Sequence, residues 1–306
     1  MSVNLALGLP IFVSKQSQMK KILVPTDFSD CSYHAAEVAA QIAKKTGARL
    51  YILHVMDIPV YDRNDSFQTH TDTAEGIFWM KLVKKRFKEL FAKPFMQGVN
   101  AVEVLQFDGV YETISSQAKE HQIDLIVMGS HGDNGAHELF IGSNTEKVVR
   151  LADCPVLTVK QRHQNFDLKN VLFASNFYGE AKAHFEGLFN FIKLFDAKIH
   201  LVKVNTPDQF ETTTYTRKLI SDFASDWKLK NFEAHIYNER TIQAGIFAIS
   251  KELNVDLIAM ETHGRTGIAR FFVGSHAESV VNHSELPVLT IRIKEYQPEQ
   301  RSFPVI

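Results

Sequence analysis

The chain has 306 residues, about twice the size of an ordinary single domain, so two domains are expected. Hydrophobic residues make up 45% of the chain and charged residues 23%, an ordinary globular composition that excludes a disordered protein. The 34 Lys and Arg residues are balanced by 35 Asp and Glu residues. Because there is no basic excess to hold a phosphate backbone, nucleic acid is not an expected partner.

The cysteine content and the lack of long apolar runs favour a cytoplasmic location over a membrane or secreted one. Cys31 and Cys154 are too few for a disulfide framework or a four-cysteine zinc site, so we expect reduced thiols and a cytoplasmic protein. No apolar run approaches the roughly 18 residues of a membrane span. Residues 5–13 are apolar but lack the basic segment and cleavage site of a secretion signal. We expect residues 1–18 to be an N-terminal extension.

Two successive runs of alternating strand and helix patterns follow along the chain. In each run, five short apolar segments predict strands, and the amphipathic segments between them predict helices. The first run predicts strands at 21–25, 49–56, 101–107, 124–129 and 155–159 and helices near 30–46, 73–97, 110–121 and 142–152. The second run predicts strands at 170–174, 198–204, 232–238, 256–260 and 287–292 and helices near 179–195, 208–228, 241–253 and 274–284. Strands joined by crossover helices form a parallel sheet.

The second run repeats the first. Residues 124–160 align without a gap with residues 256–292, so that DLIVM corresponds to DLIAM. KILVPTDFS at 21–29 corresponds likewise to NVLFASNFY at 170–178. The first half carries a surplus between its second and third strands, within residues 57–99. Two copies of this length indicate duplication of a whole domain rather than a solenoid.

The repeat defines the expected domain boundaries. We expect a first domain at 19–162, a second domain at 168–294 and a C-terminal tail at 295–306. The short polar connector QRHQNFDLK at 161–169 joins the two domains.

A glycine-rich turn follows the fourth strand of the first half. Open parallel sheets bind ligands beyond the carboxyl ends of their strands, which is where this turn lies. Gly129 and Gly132 can take positive φ and can let a ligand touch main-chain N–H groups. Gly142 and Ser143 open the next helix, whose N-terminus favours phosphate, and the hydroxyls of Ser143 and Thr145 add donors.

Asp27 follows the first strand directly, with Pro25 and Thr26 beside it, and therefore reaches the same edge. A carboxylate only accepts hydrogen bonds, which suits the amino or hydroxyl groups of a nucleoside. A helix starts just after Asp27, so Asp27, like Ser29 or Asp30, can instead cap that helix. The glycine turn nearby favours ligand contact.

The pattern G-x2-G-x9-G-S at 129–143, with PTDFS at 25–29 and LHV at 53–55, resembles the universal stress protein family. The chain is most similar to the nucleotide-binding branch and to the tandem, two-domain members, over nearly all of residues 20–293. The resemblance implies an α/β fold with two Rossmann-like (adenine nucleotide α-hydrolase-like) domains. Each would be a five-stranded parallel sheet of order 3-2-1-4-5 flanked by helices.

The resemblance also implies how the two domains assemble. Family dimers usually pair their last strands antiparallel. Here VLTV at 156–159 and VLTI at 288–291 would pair in this way within one chain, as an intramolecular pseudo-dimer. A further homodimer and the identity of a protein partner stay open.

The same resemblance implies ATP as the ligand, with or without Mg²⁺. In ATP-binding members the adenine and ribose lie against the positions of Asp27 and Val55, with Pro25 and Thr26 alongside. The positions that hold the ribose and phosphates, together with the histidine of the same loop, are Met128, Gly129, His131, Gly132, Gly142, Ser143, Asn144 and Thr145. The implied role is that of a nucleotide-responsive stress or regulatory protein.

The second half departs from this pattern. Where the first half has Asp27, Gly129, Asn144 and Thr145, the second has Asn176, Glu261, His276 and Ala277. An inward Glu261 would repel a polyphosphate, because two like charges about 4 Å apart cost about 1 kcal/mol in water and more in a cleft. A Glu261 that points to solvent would leave the site working. We predict that the second site binds ATP weakly or not at all.

No catalytic or metal site is predicted. The chain has neither a Walker A sequence nor a G-x-S-x-G elbow, and nothing orients His131 to polarise a water. His276 and His283 lie two helical turns apart without further ligands. Two alternatives to a nucleotide-binding regulator are open: a slow ATPase or phosphotransferase that uses Asp27 or His131, and an interaction scaffold that binds no nucleotide.

Overall fold

The computed structural model of the chain describes residues 19–56, 74–107, 109–130, 142–263 and 274–293. The expected N-terminal extension and C-terminal tail lie outside these residues, as do His131 and Gly132 of the glycine turn.

The first half alternates strands and helices as its sequence pattern predicts. Its strands are β1 (Lys21–Pro25), β2 (Arg49–Met56), β3 (Ala101–Phe107), β4 (Leu125–Gly129) and β5 (Val156–Val159), and its helices are α1 (Asp30–Thr46), α2 (Ala74–Phe91), α3 (Val110–Glu120) and α4 (Ser143–Leu151). The helix predicted to run to residue 97 ends at Phe91, and a 3-10 helix follows at Pro94–Met96. Pro94 forces the preceding Lys93 into an extended conformation, which stops the α-helix.

The second half repeats this arrangement. Its strands are β6 (Asn170–Ala174), β7 (Lys198–Asn205), β8 (Phe232–Asn238), β9 (Leu257–His263) and β10 (Val288–Ile293), and its helices are α5 (Gly179–Lys193), α6 (Thr213–Asp226), α7 (Ile242–Glu252) and α8 (Gly274–His283). The helix predicted near 208–228 starts at Thr213, because Thr212 caps it by accepting a hydrogen bond from the Tyr215 N–H. β9 extends past the predicted residue 260 and so includes Glu261.

The ten strands form one sheet in the order β3-β2-β1-β4-β5-β10-β9-β6-β7-β8. Within each half, the strand pairs of the described residues are parallel and the order is 3-2-1-4-5. The predicted fold class is confirmed. The carboxyl ends of the central strands, β1 with β4 and β6 with β9, therefore meet at one edge in each half.

The two halves join through their last strands. β5 and β10 pair antiparallel, with Leu157 opposite Leu289 and Thr158 opposite Val288. The Thr158 hydroxyl reinforces this seam by donating to the Val288 carbonyl at 3.2 Å. Arg150 of α4 also reaches Glu278 of α8, at 3.4 Å. Because each strand covers the other, neither is left as an open sheet edge.

The duplication extends to the backbone conformation. Three pairs of corresponding positions are left-handed: Phe28 and Phe177, Gly47 and Asp196, and Gln122 and Asn254. The phenylalanines, at φ 64° and φ 62°, occupy a region that bulky residues rarely adopt. Each is held there by its N–H, which donates to the side-chain oxygen two residues earlier, at 3.0 Å in the first half and 2.9 Å in the second. The same tight turn therefore follows the first strand of both halves.

Helices cover both faces of the sheet, which explains why its central strands are apolar on both sides. Side chains of α1, α2, α5 and α6 pack on one face, and those of α3, α4, α7 and α8 pack on the other. In the second half, Phe173, Phe185 and Phe223 form an aromatic cluster with ring centroids 4.8–5.8 Å apart. Among the described residues, no helix combines the length and apolar content needed to cross a membrane.

The β5–β10 seam should contribute strongly to stability. Leu157 is fully buried there, so Leu157→Ala should lower the free energy of unfolding by about 2–5 kcal/mol through lost burial and a residual cavity. Urea denaturation followed by circular dichroism measures the change. Ile77→Ala, at a residue that is 45% exposed, is the control and should change it by less than about 0.5 kcal/mol. Equal, small effects of both substitutions would contradict the seam's role.

Candidate functional site

The turn that ends β1 is built by Thr26. Its N–H donates to the Leu53 carbonyl at 2.8 Å, and its buried hydroxyl lies 2.9 Å from the Ser32 hydroxyl. The same oxygen accepts from the Phe28 N–H. Thr26 therefore shapes the turn that presents the next residue, Asp27, at the carboxyl edge of the sheet.

Asp27 is exposed at this edge. Its Oδ1 accepts hydrogen bonds from the Ser29 N–H at 3.0 Å and from the Ser29 hydroxyl at 2.6 Å. Ser29 is the residue that caps α1, by accepting from the Ser32 N–H. Of the two roles open to Asp27, helix capping thus belongs to Ser29, and the Asp27 carboxylate is oriented by the turn while it remains accessible from solvent.

His54, which the sequence shows only as part of the LHV motif, supports the same turn. Its Nδ1 donates to the Thr26 carbonyl at 2.8 Å, and its ring lies 4.8 Å from the Phe28 ring. Burial lowers the pKa of His54 and outweighs the opposing effects of the Thr26 hydrogen bond and the Asp27 charge, which favours the neutral ring at pH 7. Val55 follows in β2, half-buried at the same edge.

The start of α4 is held against the end of β4. The Gly142 N–H donates to the Ser130 carbonyl at 2.9 Å, across residues 131–141. Gly142 has an extended backbone and no side chain to cap α4, which begins at the exposed Ser143 and the half-buried Asn144. The first N–H groups of a helix have no partner within the helix and carry partial positive charge, so this terminus is suited to an anion.

Thr145 has a different role from the one expected. Its hydroxyl is buried and donates to the Gly129 carbonyl at 3.1 Å, so it anchors α4 to β4 rather than offering its hydrogen to a phosphate. Met128, the preceding residue of β4, is also buried. Both residues position the site from beneath.

Gly129 does not use the positive φ that a glycine can take in a turn. What matters at this position is the space that the missing side chain leaves open. A Cβ at Gly129 would lie 3.0 Å from both the main-chain carbon and the carbonyl oxygen of Cys31, near the start of α1. The absence of a side chain at residue 129 therefore allows α1 to approach β4 closely.

At the corresponding edge of the second half, a carboxylate lies inward. Glu261 is 3% exposed, and its Oε2 accepts from the Ser175 hydroxyl at 2.9 Å. The alternative that Glu261 points to solvent is wrong, because β9 extends through residue 263 and carries the side chain into the sheet edge.

A lysine replaces His54 in the second half. Lys203 is buried, and its Nζ lies 2.5 Å from Glu211 Oε2 and 3.4 Å from the Asn176 carbonyl. The Tyr178 ring lies 4.8 Å from the same Nζ, and the Tyr178 hydroxyl donates to Glu211. This network joins the end of β6 to the segment before α6. The carboxyl edge of the second half therefore contains an ion pair, Lys203 with Glu211, within the protein itself.

The network shifts two pKa values. Burial by itself raises the pKa of Glu211, but hydrogen bonds from Lys203 and Tyr178 outweigh burial and hold the pKa below its usual 4.5. The hydrogen bond to Glu211, together with burial, raises the pKa of Tyr178 to about 12.

The comparisons with known proteins decide the family. The sequence profile of the universal stress protein family matches the chain twice, over residues 19–160 and 168–292. The chain belongs to the universal stress protein family. This confirms the resemblance seen in the sequence.

Individual relatives match one half or the whole of this universal stress protein. Universal stress protein MJ0531 of Methanocaldococcus jannaschii is 35% identical over 150 residues, which cover 46% of this chain and 82% of that protein. Universal stress protein Slr1230 of Synechocystis is 24% identical over 296 residues, which cover 90% of this chain and 100% of that protein. A crystal structure of a universal stress protein from Archaeoglobus fulgidus aligns over 90% of this chain and 100% of its own, with a TM-score of 0.66 and 21% identity, which supports the fold.

Gly129→Ala should destabilise this universal stress protein. The new Cβ would press on the Cys31 backbone, which cannot move aside as a side chain can, so we expect a loss of about 1–3 kcal/mol in the free energy of unfolding. Chemical denaturation measures it. The matched control is Gly179→Ala, because a Cβ at the first residue of α5 meets no atom within 4 Å. A Gly129→Ala protein as stable as the control would show that the close approach is not required.

Glu211 should make stability depend on acid pH. Its pKa is lower when folded than when unfolded, so it stabilises the fold above about pH 4.5, and this contribution is lost as the pH falls through the folded-state value. Glu211→Gln should therefore cost about 1–3 kcal/mol at pH 7, and the cost should shrink as the pH falls below 4.5.

Urea denaturation of both proteins from pH 7 to pH 3 tests this dependence, with Glu285→Gln, at an exposed residue, as the control. A cost that stays constant across the pH series would contradict the account of Glu211.

Proposed function

We propose that the first half binds ATP at the carboxyl edge of its sheet and that the protein acts as a nucleotide-responsive stress or regulatory protein. The observation that carries this proposal is the hydrogen bond from the Gly142 N–H to the Ser130 carbonyl. It keeps the start of α4, which Gly142 cannot cap with a side chain, at the end of β4. Strand β4 lies directly beside β1, whose turn presents Asp27. An anion-binding terminus and a carboxylate that can accept from a nucleoside therefore lie at one edge.

Each element of the edge has a role in this proposal. Asp27 accepts from the ribose hydroxyls or the adenine amino group, and Val55 offers an apolar contact to the base. The N–H groups of Ser143 and Asn144 hold the phosphates. The other proposed contacts are Pro25, Thr26, Gly129 and Gly142, with Met128 and Thr145 supporting the site from beneath. His131 and Gly132, which complete the proposed set, lie outside the described residues. We place Mg²⁺ with the ATP phosphates, because Mg²⁺ usually keeps phosphate and water ligands.

The second half supplies a comparison within the same chain. Its equivalent edge contains the inward Glu261 and the paired Lys203 and Glu211. The Glu261 carboxylate opposes a polyphosphate, and Lys203 is already bound to Glu211. We propose that this edge takes ATP weakly or not at all, which makes binding a property of one half.

The assembly proposed for the protein follows from the β5–β10 pairing. We propose that the domains at 19–162 and 168–294 form an intramolecular pseudo-dimer, in which one chain contains both members of a dimer-like unit. The cytoplasmic location stays a prediction. Hydrolysis of ATP by means of Asp27 or His131 stays a separate hypothesis, and His131 lies outside the described residues.

Two matched substitutions separate ligand contact from turn formation. Asp27 and Asn176 make the same turn, each accepting an N–H two residues later at 3.0 Å. Asp27→Ala should weaken ATP binding about tenfold or more, because a hydrogen bond to a charged group is worth about 1.5–3 kcal/mol. Asn176→Ala removes the equivalent turn hydrogen bond, without the additional Ser29 hydroxyl contact of Asp27, and should leave ATP affinity unchanged.

Isothermal titration of the full chain with ATP, GTP and cyclic AMP measures these affinities. We expect about one ATP per chain and weaker binding of GTP and of the single-phosphate nucleotide. Absence of binding at millimolar ATP would contradict the proposal, as would equal losses in Asp27→Ala and Asn176→Ala.

A further inference from the structure

A cluster of two histidines and a glutamate lies in the second half, away from the proposed nucleotide site. His200 of β7 is paired directly opposite Glu233 of β8, and His235 follows two residues later on the same face of β8. His200 and Glu233 lie near the beginnings of their strands and His235 at the middle of β8, whereas the proposed nucleotide site lies beyond the ends of the first-half strands. One ligand atom from each residue lies within 4.8 Å of the other two.

The distances within the cluster fit a single metal ion. His200 Nδ1 lies 3.1 Å from His235 Nε2, and these two atoms lie 3.7 Å and 3.8 Å from Glu233 Oε2. Tetrahedral zinc with bonds of about 2.0–2.1 Å separates its ligand atoms by about 3.3 Å. We propose that His200, Glu233 and His235 form a binding site for a divalent transition metal of the Zn²⁺ type, with two imidazoles and one carboxylate as ligands.

Neighbouring residues orient two of the ligands. His200 Nε2 lies 3.3 Å from Asn170 Oδ1, so the ring donates there and leaves Nδ1 for the metal. Lys198 Nζ lies 2.5 Å from Glu233 Oε1, so Oε2 is the carboxylate atom that faces the imidazoles. Without metal, the His235 Nε2–H donates to His200 Nδ1, because the His200 ring carries its own hydrogen on Nε2. On metal binding, His235 takes the tautomer with its hydrogen on Nδ1.

The local electrostatics suit metal binding. Burial lowers the pKa of His200 and of His235, so both rings are neutral at pH 7, the form that coordinates metal. The hydrogen bond from Lys198 lowers the pKa of Glu233, which is therefore ionised and partly offsets the lysine charge. His200 is buried while the Glu233 side chain is 49% exposed, so a metal can reach the cluster from the side of Glu233.

The first half lacks this cluster. The positions that correspond to His200 and Glu233 hold Tyr51 and Val102, which are paired in the same register, and Val104 corresponds to His235. The metal site is thus specific to the second half, and it is independent of ATP binding in the first. The sequence signal for this site is the E-x-H pattern formed by Glu233 and His235 in β8. Only the register between β7 and β8 shows that His200 lies beside this pattern.

Cobalt is the probe, because it substitutes for zinc and tetrahedral Co²⁺ absorbs visible light. The full chain, without an affinity tag and stripped with chelator, is titrated with Co²⁺ and separately with Zn²⁺ by calorimetry. We expect one Co²⁺ per chain with a tetrahedral spectrum. His235→Val, which introduces the first-half residue, should abolish the spectrum, and Asn170→Ala should weaken affinity by about 10–100-fold.

His283→Ala, at an exposed histidine outside the cluster, is the control and should bind like the native chain. Glu233→Gln is a second test in case His235→Val does not fold, because the Glu233 side chain is exposed and its change should not disturb the fold. This substitution should weaken metal affinity at least tenfold. The proposal is overturned if the native chain shows no tetrahedral cobalt spectrum. It is equally overturned if Glu233→Gln binds as the native chain does, or if His283→Ala loses as much affinity as His235→Val.

Discussion

One main-chain hydrogen bond, from the Gly142 N–H to the Ser130 carbonyl, brings together the elements of the proposed nucleotide site in the first half. It fixes the start of α4 at the end of β4, and the Thr145 hydroxyl secures the same contact from within the helix. Gly129 allows α1 to approach this strand end closely, and the turn after β1 then presents Asp27 at the same edge. Without this arrangement, a carboxylate and a helix terminus would be two unrelated surface features.

The two halves show how one scaffold can carry different chemistry. Both keep the left-handed phenylalanine after the first strand, the strand order and the helix placement. They differ in charge: the second half buries Glu261 at the edge where the first half has Gly129, and it pairs Lys203 with Glu211 beside it. At the other end of its sheet, the second half has the histidine–glutamate cluster where the first half has Tyr51 and valines. The two halves thus differ in side chains along the strands, while the turn after the first strand, the strand order and the helix placement are kept.

The sequence predicted most of the fold because its signals are local and repeated. Strand bounds such as Lys21–Pro25 and Asn170–Ala174 follow directly from short apolar runs. The strand order was implied by the family resemblance. The predicted helix that ran past Phe91 to residue 97 was too long. Pro94 was a local signal for its end, but the helical pattern around it outweighed this signal. The direction of Glu261, the role of Gly129 and the pairing of Lys203 with Glu211 depend on contacts between distant segments, which no local pattern specifies. The histidine–glutamate cluster was missed for the same reason, since only the register of β7 with β8 brings its residues together.

The central claim is that nucleotide binding belongs to one half of a duplicated chain. Native mass spectrometry of the full protein, over a graded series of ATP concentrations, counts the nucleotides bound to each molecule directly. The account predicts a single ATP adduct that saturates before any second adduct forms. A chain that takes up no ATP, or that fills two sites in parallel, would contradict it.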